Sequence, residues 1–174
     1  GTNLLVFLNS AGDVFIDDLS ILTGTEAGVG PNLIANGGFE SPLTGSWELL
    51  GNHTNSVVST DVSHSGNSSM RLISTGPGGS SATLRQFIPA LPTSTVCTLS
   101  YWFLPSATAS NLTMRTTPGS AFASVNTVRP IFSSPGSANA AAAVLPPFPP
   151  LWLNEAQPEN LTGITDNQGE REPW

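Results

Sequence analysis

The chain reads as an all-β protein, a sandwich of short strands. Three observations predict it. Charged residues are only 10% of the 174-residue chain, and Gly, Ser, Thr, Asn and Pro fill much of the remainder. Apolar residues come in short runs separated by turn-forming clusters, which is the pattern of strands and turns. No long stretch carries apolar residues at the 3.6-residue spacing of an amphipathic helix.

Taken in order, Leu4–Leu8 and Val14–Leu22 are β-rich runs flanking Asn9-Ser10-Ala11-Gly12-Asp13. Two such runs around a Gly-containing turn predict a β-hairpin. Thr23–Pro31 is a Gly-rich link, and Leu33–Glu40 reads as the next strand. Trp47–Leu50 and Ser56–Ser59 are short strand candidates. His64–Ser69 reads as a turn, followed by the strand Met70–Ser74. After the Gly/Pro/Ser turn Thr75–Ser81 come the strands Ala82–Ile88 and Thr95–Leu104. In the latter, Cys97, Leu99, Tyr101 and Phe103 share one face and Val96, Thr98, Ser100, Trp102 and Leu104 the other. The first set is more apolar and is assigned to the core. Leu112–Thr116 and Ala121–Val128 complete the β region. Residues 131–150, with four consecutive alanines and Leu145-Pro146-Pro147-Phe148-Pro149-Pro150, read as a Pro/Ala-rich linker of extended, semi-rigid form.

Composition narrows the partners. Twelve carboxylates against five arginines and no lysine give a net charge of −7. Such a chain is not drawn to nucleic-acid phosphates. It also has no basic amphipathic segment for an anionic membrane surface. The apolar patch Ala138–Leu153 is interrupted by prolines and too short to span a bilayer. The single cysteine, Cys97, allows no internal disulfide and reads as a core residue. The two histidines, His53 and His64, stand in polar turns and read as solvated. No H-E-x-x-H, C-x-x-C, G-x-S-x-G or phosphate-binding glycine loop occurs. No pair of carboxylates stands out as an acid/base couple. The reading is therefore non-enzymatic.

Two motifs carry a resemblance. Asn32-Leu33-Ile34-Ala35-Asn36-Gly37-Gly38-Phe39-Glu40, followed by Gly45-Ser46-Trp47, resembles the opening strand of jelly-roll carbohydrate-binding modules of the family 4/9/22 kind, which have a galactose-binding-domain-like fold. Upstream, Val14-Phe15-Ile16-Asp17-Asp18-Leu19-Ser20-Ile21 resembles their closing strand. His64-Ser65-Gly66-Asn67-Ser68-Ser69 resembles the turn these modules often carry before a central strand. The closing motif thus precedes the opening one. Either residues 1–24 are a closing hairpin that ends an upstream module, or that hairpin completes the sandwich of residues 32–130 in permuted order; the second is favoured because it covers an open sheet edge. Beyond the linker, Leu151–Asn160 and Asp166–Trp174 resemble the start of a bacterial lamin-tail domain, so residues 151–174 read as its truncated beginning and the chain as a segment of a larger protein.

The resemblance implies a jelly-roll β-sandwich in a multimodular protein that is secreted or displayed at the cell surface. The expected partners are a polysaccharide or other glycan and the neighbouring domains of the same chain. Sugar binding by such modules stacks an apolar pyranose face on an aromatic ring. Trp102 and Trp47 are the stacking candidates, with Arg85 and Gln86 as hydrogen-bonding neighbours. The resemblance also implies a structural calcium ion tying the opening strand to the closing one. Glu40, Asp17 and Asp18 stand at the matching positions, and hard carboxylate oxygens suit that cation. The alternative role is a spacer or adhesion module with no sugar ligand.

Overall fold

A computed structural model describes residues 2–89, 96–117 and 123–128. Among them the chain is all-β, with one single-turn 3-10 segment, Gly51–His53. The strands are β1 (Thr2–Leu8), β2 (Gly12–Thr23), β3 (Glu48–Leu50), β4 (Val57–Ser59), β5 (Ser69–Ser74), β6 (Thr83–Ile88), β7 (Cys97–Leu104), β8 (Asn111–Thr117) and β9 (Ala123–Thr127). They form two antiparallel sheets, ordered β3-β6-β1-β8-β9 and β4-β5-β2-β7, packed as a sandwich on one apolar core. No helix among the described residues is long and apolar enough to cross a membrane. The Pro/Ala-rich linker and the lamin-tail-like segment lie outside the described residues.

The expected hairpin does not form. β1 pairs with β6 and β8 in one sheet, and β2 pairs with β5 and β7 in the other. Both strands are interior to their sheets, so the link between them crosses the sandwich rather than turning within a ladder. The reason lies in β1 itself: Leu4–Leu8 are five successive buried residues, the signature of a strand covered on both faces. Gly12 permits the crossing. Its φ is +140°, and a Cβ there would lie 2.6 Å from the Ala109 backbone nitrogen.

Leu33–Glu40 is not a strand either. Asn36 and Phe39 have φ of 50° and 54°, and the segment turns across the end of the sandwich, its one ladder contact being an isolated Leu22–Asn32 bridge. It docks on β2 through Leu33 N–H to Ile21 O (2.9 Å) and Leu19 N–H to Gly37 O (3.0 Å). Its apolar side chains plug the core end: Ile34, Phe39 and Trp47 are buried, and the Phe39 and Trp47 rings lie 5.6 Å apart. A Cβ on Gly37 would stand 2.0 Å from the Leu19 carbonyl oxygen, so only glycine allows this approach.

The face assignment of β7 agrees with the structure: Cys97, Leu99, Tyr101 and Phe103 pack against the core. On β1, Leu4, Val6 and Leu8 face the core, while Leu5 and Phe7 lie on the opposite face of the sheet. β2 shifts register between Asp17, opposite Trp102, and Ser20, opposite Ser100. One extra residue is accommodated there as a bulge, with Asp18 at φ 50°. The bulge turns the two aspartates toward the loop that precedes β5.

Candidate functional site

The sequence-derived candidates divide between the two outer faces and the interior. On the five-stranded sheet, Asn3, Gly45, Ser46, Trp47, Glu48, Arg85 and Phe87 line an open groove of about 440 Å³. The ladder places its strand residues, and Leu5, Arg115 and Thr117 continue the same face outside the groove. Glu48, Arg85, Leu5 and Arg115 stand in register across β3, β6, β1 and β8, and Phe87, Asn3 and Thr117 form the adjacent row. Phe87 is 69% exposed, although it belongs to a strand whose Leu84 and Ile88 are core residues. Arg85 donates from Nε (3.2 Å) and Nη2 (2.5 Å) to Glu48 Oε2. Leu5, between the two arginines in the row, is buried. The Arg115 guanidinium lies 5.5 Å from the Phe7 ring centre and donates from Nη2 to Ser80 Oγ at 2.9 Å.

Of the four proposed sugar contacts, Arg85 and Trp47 meet in this groove. Trp47 contributes an edge rather than a platform: it is 6% exposed and its Nε1–H donates to Asn36 O at 3.1 Å. Gln86 is not a surface group. It is buried on the inward face of β6, where Oε1 accepts from Ala35 N–H and Nε2 donates to Ala35 O, both at 2.8 Å. Its work is to hold the Asn32–Phe39 segment on the sandwich. Trp102 lies on the opposite side of the molecule, on the outer face of the four-stranded sheet.

There Trp102 stacks on His64 with ring centres 3.8 Å apart and planes 15° apart. His64 Nδ1 lies 2.6 Å from Asp18 Oδ2. The same loop supplies donors to all three predicted calcium ligands. Asp17 Oδ2 accepts the backbone N–H groups of His64 (2.8 Å) and Ser65 (3.2 Å), and Oδ1 that of Asp18 (2.8 Å). Ser65 Oγ donates to Asp18 Oδ1 at 2.6 Å. Glu40 Oε1 accepts from Asn67 N–H (3.0 Å) and Ser68 N–H (2.9 Å). Asp17 is fully buried, and burial pushes its carboxyl above the usual carboxylate range against the pull of those N–H donors.

Glu40, Asp17 and Asp18 all bond to the turn His64–Ser68. They do not converge as a metal site would: among the described residues no group of three His, Cys, Asp or Glu side chains is placed to hold a metal ion. As placed, the carboxylates engage the loop's own N–H and O–H donors. Gly66 (φ +61°) allows the close seat of Glu40, since a Cβ there would lie 2.4 Å from Oε1.

Of the two histidines, His64 is exposed in its loop, as expected, while stacking on Trp102, but His53 is not a solvated turn residue. His53 is fully buried, and its Nε2 accepts the Leu8 N–H at 3.0 Å, which fixes the proton on Nδ1. Burial lowers its pKa to about 4. Phe87, Asn3 and Glu48 were missed as groove residues. For Phe87 a signal exists in the text: in Leu84-Arg85-Gln86-Phe87-Ile88 it is an aromatic out of phase with the apolar alternation. Comparison with models of known families, with curated proteins and with solved structures returns no match, so the groove and the acid-clamped loop rest on this chain's own geometry.

Proposed function

We propose that the chain is a non-catalytic glycan-binding module of a larger extracellular protein, built as a jelly-roll-type sandwich, and that the glycan lies in the groove of the five-stranded sheet. The observation that carries this is Phe87: a large aromatic, 69% exposed, beside Arg85, Glu48 and Asn3. An aromatic face bordered by fixed polar groups is what a pyranose ring with one apolar face and equatorial hydroxyls requires. Paired to each other, Arg85 and Glu48 offer both donors and acceptors to hydroxyls.

The second reading is a structural spacer. It is favoured by the engagement of Trp47, Gln86 and Trp102 inside the fold's own contacts. Affinity electrophoresis of the 174-residue chain through gels of xylan, β-glucan, mannan and pectin separates the two. Retardation in one gel that is abolished by Phe87→Ala and kept by Trp102→Ala supports the groove. Retardation abolished only by Trp102→Ala moves the site to the other sheet. Mobility unchanged in every gel, from protein shown to be folded by circular dichroism, supports the spacer.

A further inference from the structure

We infer that the ligand is an acidic glycan, a chain of uronic acid residues that extends from the groove across β1 so that one carboxylate is received by Arg115 on the same sheet face; this rests on the glycan-binding reading above. The argument is one of charge placement. The chain carries −7 overall, so a cation without a carboxylate partner stands out. Among the described residues there are three arginines. Arg71, on the four-stranded sheet, pairs with Asp13 at 2.8 Å, and Arg85 pairs with Glu48. Arg115 pairs with no carboxylate among the described residues. Of the five N–H donors a guanidinium carries, one is placed on Ser80 Oγ, and Nε is buried with no partner.

Arg115 is in register with Arg85 across Leu5. Two inter-strand spacings put their backbones about 10 Å apart, on the scale of a disaccharide. The row beside them holds Phe87, Asn3 and Thr117. A ring stacked on Phe87 would direct its equatorial substituents toward the arginine row. The row holds one carboxylate, Glu48, which pairs with Arg85, and a second arginine, Arg115, three strands from it, so the row is net positive on an acidic protein. A neutral sugar gains nothing from that excess. A uronate gains a charge-assisted hydrogen bond of the kind that an arginine fork makes best.

The test uses the whole chain in affinity electrophoresis with polygalacturonate and the same polymer fully methyl-esterified, which keeps the sugar backbone and removes the charge. The expected result is retardation by polygalacturonate, little by the ester, and about tenfold or greater weakening by Arg115→Gln. Because Arg115 also covers Phe7, Arg115→Lys is run beside it; that variant keeps stem and charge, loses the fork, and should also bind more weakly. Equal retardation by the ester overturns the acidic-glycan inference and leaves the groove reading standing. Retardation by poly-glutamate or dextran sulfate as strong as by polygalacturonate overturns it too, because charge alone would then suffice. Wild-type binding by Arg115→Lys overturns the role of the fork. No retardation by any glycan, neutral or acidic, overturns the groove reading as well.

Discussion

Replacing His53 by glutamine should remove an acid sensitivity that the fold carries in its interior. The imidazole is fully buried, accepts the Leu8 N–H at Nε2, and leaves Nδ1 without a partner. A second proton would have to enter at Nε2, displacing that hydrogen bond and placing a charge out of water. Its pKa is lowered to about 4, against 6.5 for a free histidine. Between those values the unfolded chain holds the proton and the folded chain does not. The folded state therefore loses stability as pH falls from about 6.5 to about 4, and the loss levels off below that. At about 1.4 kcal/mol per pKa unit the full effect is about 3 kcal/mol. Glutamine can offer Oε1 to Leu8 N–H and does not titrate. Urea unfolding followed by circular dichroism at pH 7.5, 6.5, 5.5 and 4.5 should show the wild type converging on, or falling below, His53→Gln as pH drops. The carboxylates cancel in that difference. Asp13, held low by its bond to Thr108 and by Arg71, favours folding until the pH falls through its own titration. Asp17, raised by burial, contributes in the opposite direction. Stability curves that stay parallel over the whole range would refute the reasoning.

Three further outcomes follow from the same contacts. Gly37→Ala should cost about 2–4 kcal/mol in urea unfolding, because its Cβ would meet the Leu19 carbonyl at 2.0 Å and break the bond that docks the segment on β2. Gln86→Leu keeps the volume but leaves Ala35 N–H and C=O unpaired; a loss of about 2–4 kcal/mol is expected, with faster amide exchange over Asn32–Phe39. Adding a chelator should leave the melting temperature unchanged, since loop donors already engage Asp17, Asp18 and Glu40; a drop of several degrees restored by calcium would show that a cation holds them.

The strands after residue 46 were legible because alternation and turn residues agree there: every one expected appears within a residue or two of its place. Both errors in the first forty residues have one physical origin. A run of apolar residues shows that a segment is buried and does not show which neighbour it pairs with. Leu4–Leu8 and Val14–Leu22 look like partners because they are adjacent, yet each lies inside a different sheet and needs neighbours from farther along the chain. Ile34 and Phe39 are buried as a strand's residues would be, but through turns, and the left-handed backbone at Asn36 and Phe39 has no compositional mark. In the site, Arg85 and Gln86 read as co-ligands, although consecutive strand residues point to opposite faces. That rule alone would have sent Gln86 inward and brought Phe87 out beside Arg85.

The position of β1 bears on how this chain leaves the ribosome. Its ladder partners come much later: Val6 stands opposite Leu84 on β6 and Met114 on β8. This apolar stretch is thus made well before the strands that cover it. Until β6 and β8 have emerged, Leu4–Leu8 is an unpaired strand of high β-propensity with no charge in it, the kind of segment that self-associates. Contacts of such sequence separation also slow the closing of the sheet. Synthesis of this module therefore has a vulnerable interval whose length is set by translation, and a chaperone that grips short apolar strands would find its binding site in Leu4–Leu8.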